Sequence, residues 1–288
     1  MNINIMHFSD LHYSDSTKLQ DLEKIKDALC EPDIDYIFFT GDLIDSNEFI
    51  KLNPMKKDAI LKWLEDITKT NKLIMINGNH DLMSKKFNGW QKDFYKPFWD
   101  ELSSINNLYY SQDNFKYNDG VVSVYGINLP FEYYENDNHR EDENLLINCL
   151  KEGTKGASRE CKKPIILLLH SPLYITGDKA LNYISNFDLI LSGHMHNGVM
   201  PPILDKLFPG NRGLISPTSQ LFPDNARGLK TVEIDDGITT NVFISGGITK
   251  ISDNSRIHFL NQFFPMEIDR LTYNTGTGNV KVKKLLLK

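Results

Sequence analysis

Five short blocks of metal-ligand residues interrupt this chain in a fixed order: Asp10-Leu11-His12, Gly41-Asp42 with Asp45, Gly78-Asn79-His80-Asp81, His170, and Gly193-His194-Met195-His196. Each closes a run that reads as a β-strand: Ile3 to Phe8, Tyr36 to Phe39, Leu73 to Ile76, Ile165 to Leu169 and Leu189 to Leu191. The runs are continuously apolar, as strands are when both faces of their sheet are covered. Ligand residues just past such strands lie where α/β folds place their sites. The chain must therefore adopt a fold that gathers five strand ends at one edge. Six of its eight histidines lie in or beside the blocks, the sixth being His7.

Taken one at a time, the blocks have ordinary explanations. Gly41-Asp42 can be a turn, Asp45 a helix cap, Gly78-Asn79-His80-Asp81 a turn of residues that tolerate left-handed backbone, and His194 and His196 a surface pair. Five such accidents in sequence make a poor account of the chain, and a dinuclear metal site makes a good one. Two divalent cations about 3.5–4 Å apart need a bridging carboxylate, terminal ligands and an open face. Two aspartates with neutral His and Asn ligands leave such a pair about +2, which suits a phosphate ester and lowers the pKa of a bridging water. Imidazole and carboxylate donors without thiolate suit Mn, Fe, Co, Ni or Zn. Glycines at 41, 78 and 193 permit turns in which the backbone comes close to the metals. His7, inside the first strand, reads as a packed neighbour. Asp81 reads as a support that accepts hydrogen bonds behind the ligands.

The ordered set D-x-H, G-D-x-x-D, G-N-H-D, a lone His after an apolar strand, and G-H-x-H resembles the calcineurin-like metallophosphoesterases from Asp10 to His196. The resemblance implies a four-layer α/β/β/α sandwich with the dinuclear site at the C-terminal ends of strands. It implies Asp10, His12 and His196 on one metal, Asn79, His170 and His194 on the other, and Asp42 bridging, with manganese the expected ion. It also implies hydrolysis of a phosphomonoester or phosphodiester by a metal-bridging hydroxide. His80 would then be no ligand but the group that protonates the departing oxygen, oriented by Asp45, a role suited to an imidazole with pKa near neutrality. Ala226-Arg227-Gly228-Leu229, Ser245-Gly246-Gly247 and Pro265-Met266-Glu267-Ile268 resemble the YkuE-like branch, some members of which cleave the pyrophosphate of a nucleotide-linked lipid precursor. The chain departs from that branch in lacking an N-terminal membrane helix and in reading His196-Asn197-Gly198-Val199 where a double glycine is usual.

Length and composition fit one domain over residues 1–288. The formal charge of −6 argues against general nucleic-acid binding, and against a nuclease, which would need a basic cleft. A non-catalytic, metal-stabilised scaffold is the rival from another class, but it has no use for a non-ligand histidine beside an aspartate. Three widely spaced cysteines, Cys30, Cys149 and Cys161, indicate a reducing compartment. No segment approaches the roughly 18 apolar residues of a membrane span, and Met1 to Met6 does not read as a leader, so the expected location is cytoplasmic. No obligate protein partner is evident.

Between the blocks, apolar spacing predicts helices over Ser16–Leu29 (capped by Ser14 or Ser16), Met55–Thr70 behind Pro54, Lys92–Ile105 and Asn144–Lys155. A hairpin turn is expected at Asn118-Asp119-Gly120, and Val280 with Val282 suggests an edge strand guarded by lysines. Two long loops, 129–140 and 197–227, are the expected substrate-side decorations. The second is apolar enough for peripheral membrane contact. Arg140 and Arg227 are the candidate phosphate clamps, because guanidinium binds phosphate oxygens bidentately.

Overall fold

The computed structural model describes residues 1–135, 143–159, 163–172, 183–196, 211–213, 226–234, 237–248 and 265–287. Two six-stranded sheets stack face to face. The first runs β14 (Val280–Leu287), β13 (Met266–Asn274), β1 (Asn2–Phe8), β2 (Tyr36–Thr40), β3 (Lys72–Ile76), β6 (Leu108–Tyr110). The second runs β11 (Gly228–Glu233), β12 (Thr239–Ile244), β10 (Leu189–Ser192), β9 (Ile165–Leu169), β8 (Ser123–Ile127), β7 (Phe115–Asn118). Helices α1 (Leu19–Leu29), α2 (Asn47–Leu52), α3 (Pro54–Thr68) and α4 (Lys96–Ser103) pack on the first sheet's side, and α6 (Glu143–Gly153) covers the second. This is the expected α/β/β/α sandwich.

Side-chain alternation builds the layers. In β1, Ile3 and Ile5 point into the space between the sheets, where they meet Phe38, Ile74, Leu168, Leu191 and Phe243. Met6 and Phe8 point the other way, onto Leu22, Ile25 and Ile60 of the covering helices. On the far side, Leu167 and Ile190 meet Leu146 and Leu150. Each such side chain contributes about 1.5–3 kcal/mol by leaving water. The same alternation aims His7 inward, edge-on to Phe243 at 5.7 Å, with Nε2 2.9 Å from Thr40 Oγ1. Burial pushes its pKa down to about 3, so it is a neutral core residue, as expected.

The topology places the site. Strands β1, β2, β3 and β6 are mutually parallel, as are β8, β9, β10 and β12. Antiparallel strands are confined to the flanks of each sheet. All five ligand blocks therefore leave parallel strands at their carboxyl ends, and face-to-face stacking brings the two groups together. β14 is an edge strand whose half-buried Val280 and Val282 alternate with exposed Lys281 and Lys283.

Two expectations need correction. The first helix starts at Leu19, with Lys18 at its N-cap and no side-chain cap. Thr17 Oγ1 instead accepts from the Ser14 N–H, closing a turn that competes with a longer helix. Lys92 does not open a helix, for it ends a hairpin of β4 (Met83–Lys86) and β5 (Gly89–Lys92), and α4 starts only at Lys96. Among the described residues no helix is long and apolar enough to cross a membrane.

Candidate metal centre

Main-chain bonds beyond the strand ends continue the sheets into the site. Asp10 N donates to Gly41 O (2.9 Å), His12 N to Asp42 O (3.0 Å), and Gly193 N to His170 O (3.1 Å). Six described non-glycine residues have left-handed backbone, and five of them are Asp10, His12, Asp42, His194 and His196, with φ between 43° and 67°. Such conformations cost on the order of 1–3 kcal/mol each and persist where the surroundings over-determine them. Here they turn consecutive side chains inward from tight turns. Gly41 (φ 97°) fits for the same reason and one more: a Cβ there would lie 2.5 Å from Gly78 N and 2.6 Å from His170 Nδ1. At Gly78 a Cβ would collide with the Asp42 carboxylate.

The ligand atoms fall into adjoining groups. Asp10, His12 and His196 form one, and Asp42, His170 and His194 another, the donor atoms of each lying within 4.8 Å of one another. Asn79 Oδ1 joins the second, 3.1 Å from His170 Nε2, and His194 Nδ1 lies 3.2 Å from the same nitrogen. Asp42 divides its two oxygens. Oδ1 accepts from the His80 backbone N–H (2.8 Å), while Oδ2 lies 3.4 Å from His12 Nε2 and 3.3 Å from His170 Nε2. One carboxylate oxygen therefore faces both groups. Asp10 is held by the His194 N–H at 3.1 Å and by the Ser9 hydroxyl.

This donor set fits a pair of cations. Among the described residues His12 Nε2 is buried without a hydrogen-bond partner, which is costly unless a cation or another group engages that nitrogen. His170 Nδ1 is 2.6 Å from Thr40 O. A carbonyl only accepts, so Nδ1 carries a hydrogen, while Nε2 faces the oxygens of Asp42 and Asn79, where a cation would take its lone pair. A backbone group commonly fixes a ligating imidazole in this way. Burial pushes His12 and His196 below the ordinary histidine range and so favours the neutral form that binds metal. Burial also pulls His170 down, but the Asp42 carboxylate outweighs it and raises this residue to about 9. Without a cation, a proton on His170 compensates the buried anion. If cations fill this site, chelation with EDTA should lower the melting temperature on the order of 10 °C, and Mn²⁺ should restore it. Binding at 100–1,000 times Kd contributes about 3–4 kcal/mol per site, at roughly 2–4 °C per kcal/mol. A melt unmoved by chelator, followed by differential scanning fluorimetry on protein of measured metal content, would contradict the metal reading.

His80 stands beside the ligands. Its ring is 4.3 Å, centre to centre, from that of His12 and at 80° to it. Nδ1 meets the main-chain carbonyl of Asp45 at 2.8 Å, so the expected Asp45–His80 pairing is made through backbone. That contact puts the hydrogen on Nδ1 and leaves Nε2 to take up or release a proton. Asp81 accepts four buried N–H bonds: Asp42 and Gly78 on Oδ2 (both 2.8 Å), Leu43 and Ile44 on Oδ1 (2.9 and 3.2 Å). Arg227 is buried at 6% exposure, its Nε donating to the Arg212 carbonyl at 2.9 Å. Arg140 lies outside the described residues, as do most of loop 197–227 and the end of loop 129–140.

Sequence reasoning gave no site role to Gly247 or Trp90 and reached Tyr134 only as part of the loop over residues 129–140. Gly247 (φ 78°) passes so close to Asp10 that its Cβ would lie 3.0 Å from that residue's own, an approach that needs a glycine after β12. Tyr134, in α5 (Phe131–Tyr134), has its ring 5.7 Å from His194. Trp90, on β5, sits edge-on to His80 at 4.8 Å. The glycine pair was a usable signal, whereas Tyr134 and Trp90 belong to no ligand pattern.

A stacked double sheet with two adjoining carboxylate–imidazole groups at its parallel strand ends is the arrangement that the calcineurin-like resemblance leads one to expect. The calcineurin-like phosphoesterase model matches residues 3–198, and the chain belongs to that family. A Helicobacter pylori protein described as an uncharacterized metallophosphoesterase is 27% identical over 203 residues, 69% of this chain and 46% of its own length. One of the same description from Aquifex aeolicus is 26% identical over 220 residues, 74% of this chain and 71% of its own. The chain spans about half the length of the Helicobacter relatives it matches. A solved candidate 5′-nucleotidase of Staphylococcus aureus aligns with 13% identity and a TM-score of 0.48, over 100% of this chain and 54% of that one.

Proposed function

We propose that the chain hydrolyses phosphate esters with a pair of divalent cations, manganese first among the candidates, held by Asp10, His12, Asp42, Asn79, His170, His194 and His196. The observation that carries this reading is Asp42 Oδ2, placed between His12 Nε2 and His170 Nε2 so that one oxygen serves both groups. When bound, the cations supply Lewis-acid stabilisation of the phosphoryl oxygens and an activated water for in-line attack. The protein residues orient and protonate. The Thr40 carbonyl fixes the His170 tautomer, and the Asp45 carbonyl fixes that of His80. His80 Nε2–H gives its proton to the departing oxygen and recovers it from solvent on its half-buried side. Arg227 is the remaining candidate contact for phosphate, and residues 1–288 act as one catalytic unit.

The test strips the protein of metal, restores Mn²⁺, and follows para-nitrophenyl phosphate beside its bis-ester. Turnover should depend on metal, and the ratio of rates assigns monoester or diester preference. His80→Ala should retain its metal content and lose about 10²–10⁴-fold in kcat, the usual worth of a general acid. Full activity in that variant would remove His80 from the mechanism.

A further inference from the structure

We infer that Trp90 is a substrate-contacting residue that selects phosphate esters whose leaving group carries a planar aromatic ring. The inference rests on the phosphoesterase reading, because His80 marks the side from which the leaving group departs. The β4–β5 hairpin follows the His80 turn (His80–Leu82) directly. Of the three tryptophans, Trp63 and Trp99 are buried at 4% and 0% exposure, whereas Trp90 is 41% exposed. Its ring is 4.8 Å from that of His80 at 69°. A large apolar ring left open to water at that position has a face available to a ligand.

The hairpin is held in place. Asp93 N donates to Leu82 O at 2.9 Å, closing its base. Buried Asn47 donates to the carbonyls of Asp81 and Asp93 and accepts from the Tyr95 N–H and the Trp99 indole, so one side chain ties the hairpin to the His80 turn and to α4. From the other direction, Lys92 pairs with Glu132 of α5 at 2.7 Å, linking the Trp90 hairpin to the helix that carries Tyr134. Tyr134 borders the His170–His194 side and Trp90 borders His80. Among the described residues, Tyr134 and Trp90 thus stand on opposite sides of the ligand groups, and Trp90 is the one beside His80. Lys85 is the cross-strand partner of Trp90 and lies on the same hairpin face, with no ion pair among the described residues. A lysine beside an open indole favours an anionic ligand with a ring to stack.

The pair of probes is adenosine 5′-monophosphate and glycerol 3-phosphate, both monoesters of a primary alcohol and differing in the heterocycle. With Zn²⁺-loaded protein, the adenine nucleotide should quench tryptophan emission, glycerol 3-phosphate should not, and the quench should vanish in Trp90→Phe. Trp90→Ala should raise KM for the nucleotide about 5- to 100-fold, the worth of one stacked base. Its kcat, and both constants for glycerol 3-phosphate, should stay within about twofold. Trp90→Phe should keep most of the preference. Equal losses on both esters in Trp90→Ala would show that the indole merely props His80 and would overturn the inference, as would absence of quenching. Turnover of para-nitrophenyl phosphate without quench or selectivity sinks Trp90 alone. Quenching by the nucleotide, with no metal-dependent turnover of any ester, sinks the phosphoesterase reading and leaves the ring contact standing.

Discussion

Asp42→Asn is expected to abolish turnover while leaving the protein folded. The side chains are nearly the same size, so the loss is chemical. Oδ1 of Asp42 accepts the His80 backbone N–H, and Oδ2 faces His12 and His170. An asparagine can keep the first bond only by turning its oxygen toward His80. Its amide hydrogens then point between the two ligand groups, where a cation pair requires an anion. The reverse orientation sets N–H against N–H at His80 and unseats the proposed general acid. Either way the shared ligand is gone and the site loses one negative charge. Metal stabilisation of this kind is worth several kcal/mol, so kcat should fall about 10³-fold or more. Metal analysis after dialysis should give fewer than two ions per chain. Retention of two ions with unaltered kcat would contradict the bridging role. The partial control is Asn79→Ala, which removes a proposed ligand from one group only and should weaken one of two binding steps in calorimetry.

The candidate ligands were legible in the sequence because their chemistry and their place after apolar strands are both local properties. Asp10, His12, Asp42, Asn79, His170, His194 and His196 each follow a strand whose continuous apolarity announces a covered sheet, and parallel order then brings the strand ends together. The way those side chains are presented was not legible. Left-handed backbone at His12 and Asp42 is held by bonds to residues far along the chain, His12 N to Asp42 O and Asp42 N to Asp81 Oδ2. Asp and His tolerate that conformation better than most residues, but the tolerance is too weak to mark which of them adopt it. The expectation paired Asp45 with His80, and the structure puts the Asp45 carbonyl 2.8 Å from His80 Nδ1, a backbone contact that leaves no trace in side-chain chemistry. The β4–β5 hairpin was missed for a different reason. Met83–Lys92 is mostly polar and exposed, without clean alternation, while Phe94, Phe98, Trp99 and Leu102 supplied a helical stripe that absorbed the residues before it. Tertiary anchoring through Asn47 decides that segment, and such anchoring is invisible in a sequence window.

Asp81→Ala should be the most destabilising single substitution among the blocks, although Asp81 touches no ligand atom offered to a cation. Its carboxylate is fully buried and holds the N–H groups of Asp42, Leu43, Ile44 and Gly78 together, so it sets the two turns that carry Asp42 and Asn79. Burial and the nearby Asp42 carboxylate push this acid up to about 8, against the pull of the Gly78 and Ile44 N–H groups. Its environment thus taxes the charge, and the four donors justify keeping it. Removing it leaves buried N–H groups without partners, at about 1–3 kcal/mol for each that water fails to reach. A total on the order of 3–5 kcal/mol, and a fall of about 10 °C or more in Tm, follow if two remain dry. Asp81→Asn discriminates between acceptor geometry and charge. Two N–H groups converge on each oxygen, so an amide can satisfy one pair only by opposing its own N–H₂ to the other. Its cost should therefore lie between wild type and alanine, with metal affinity down about 10–100-fold, the usual effect of losing a group that orients ligands. Thermal melts of the metal-free proteins measure the first quantity, and competition with a chelator of known affinity measures the second. An asparagine variant as stable as wild type would mean that the acid is protonated in the native protein and one pair of donors is satisfied elsewhere. Equal metal affinity in all three proteins would mean that the ligand turns hold their shape without Asp81.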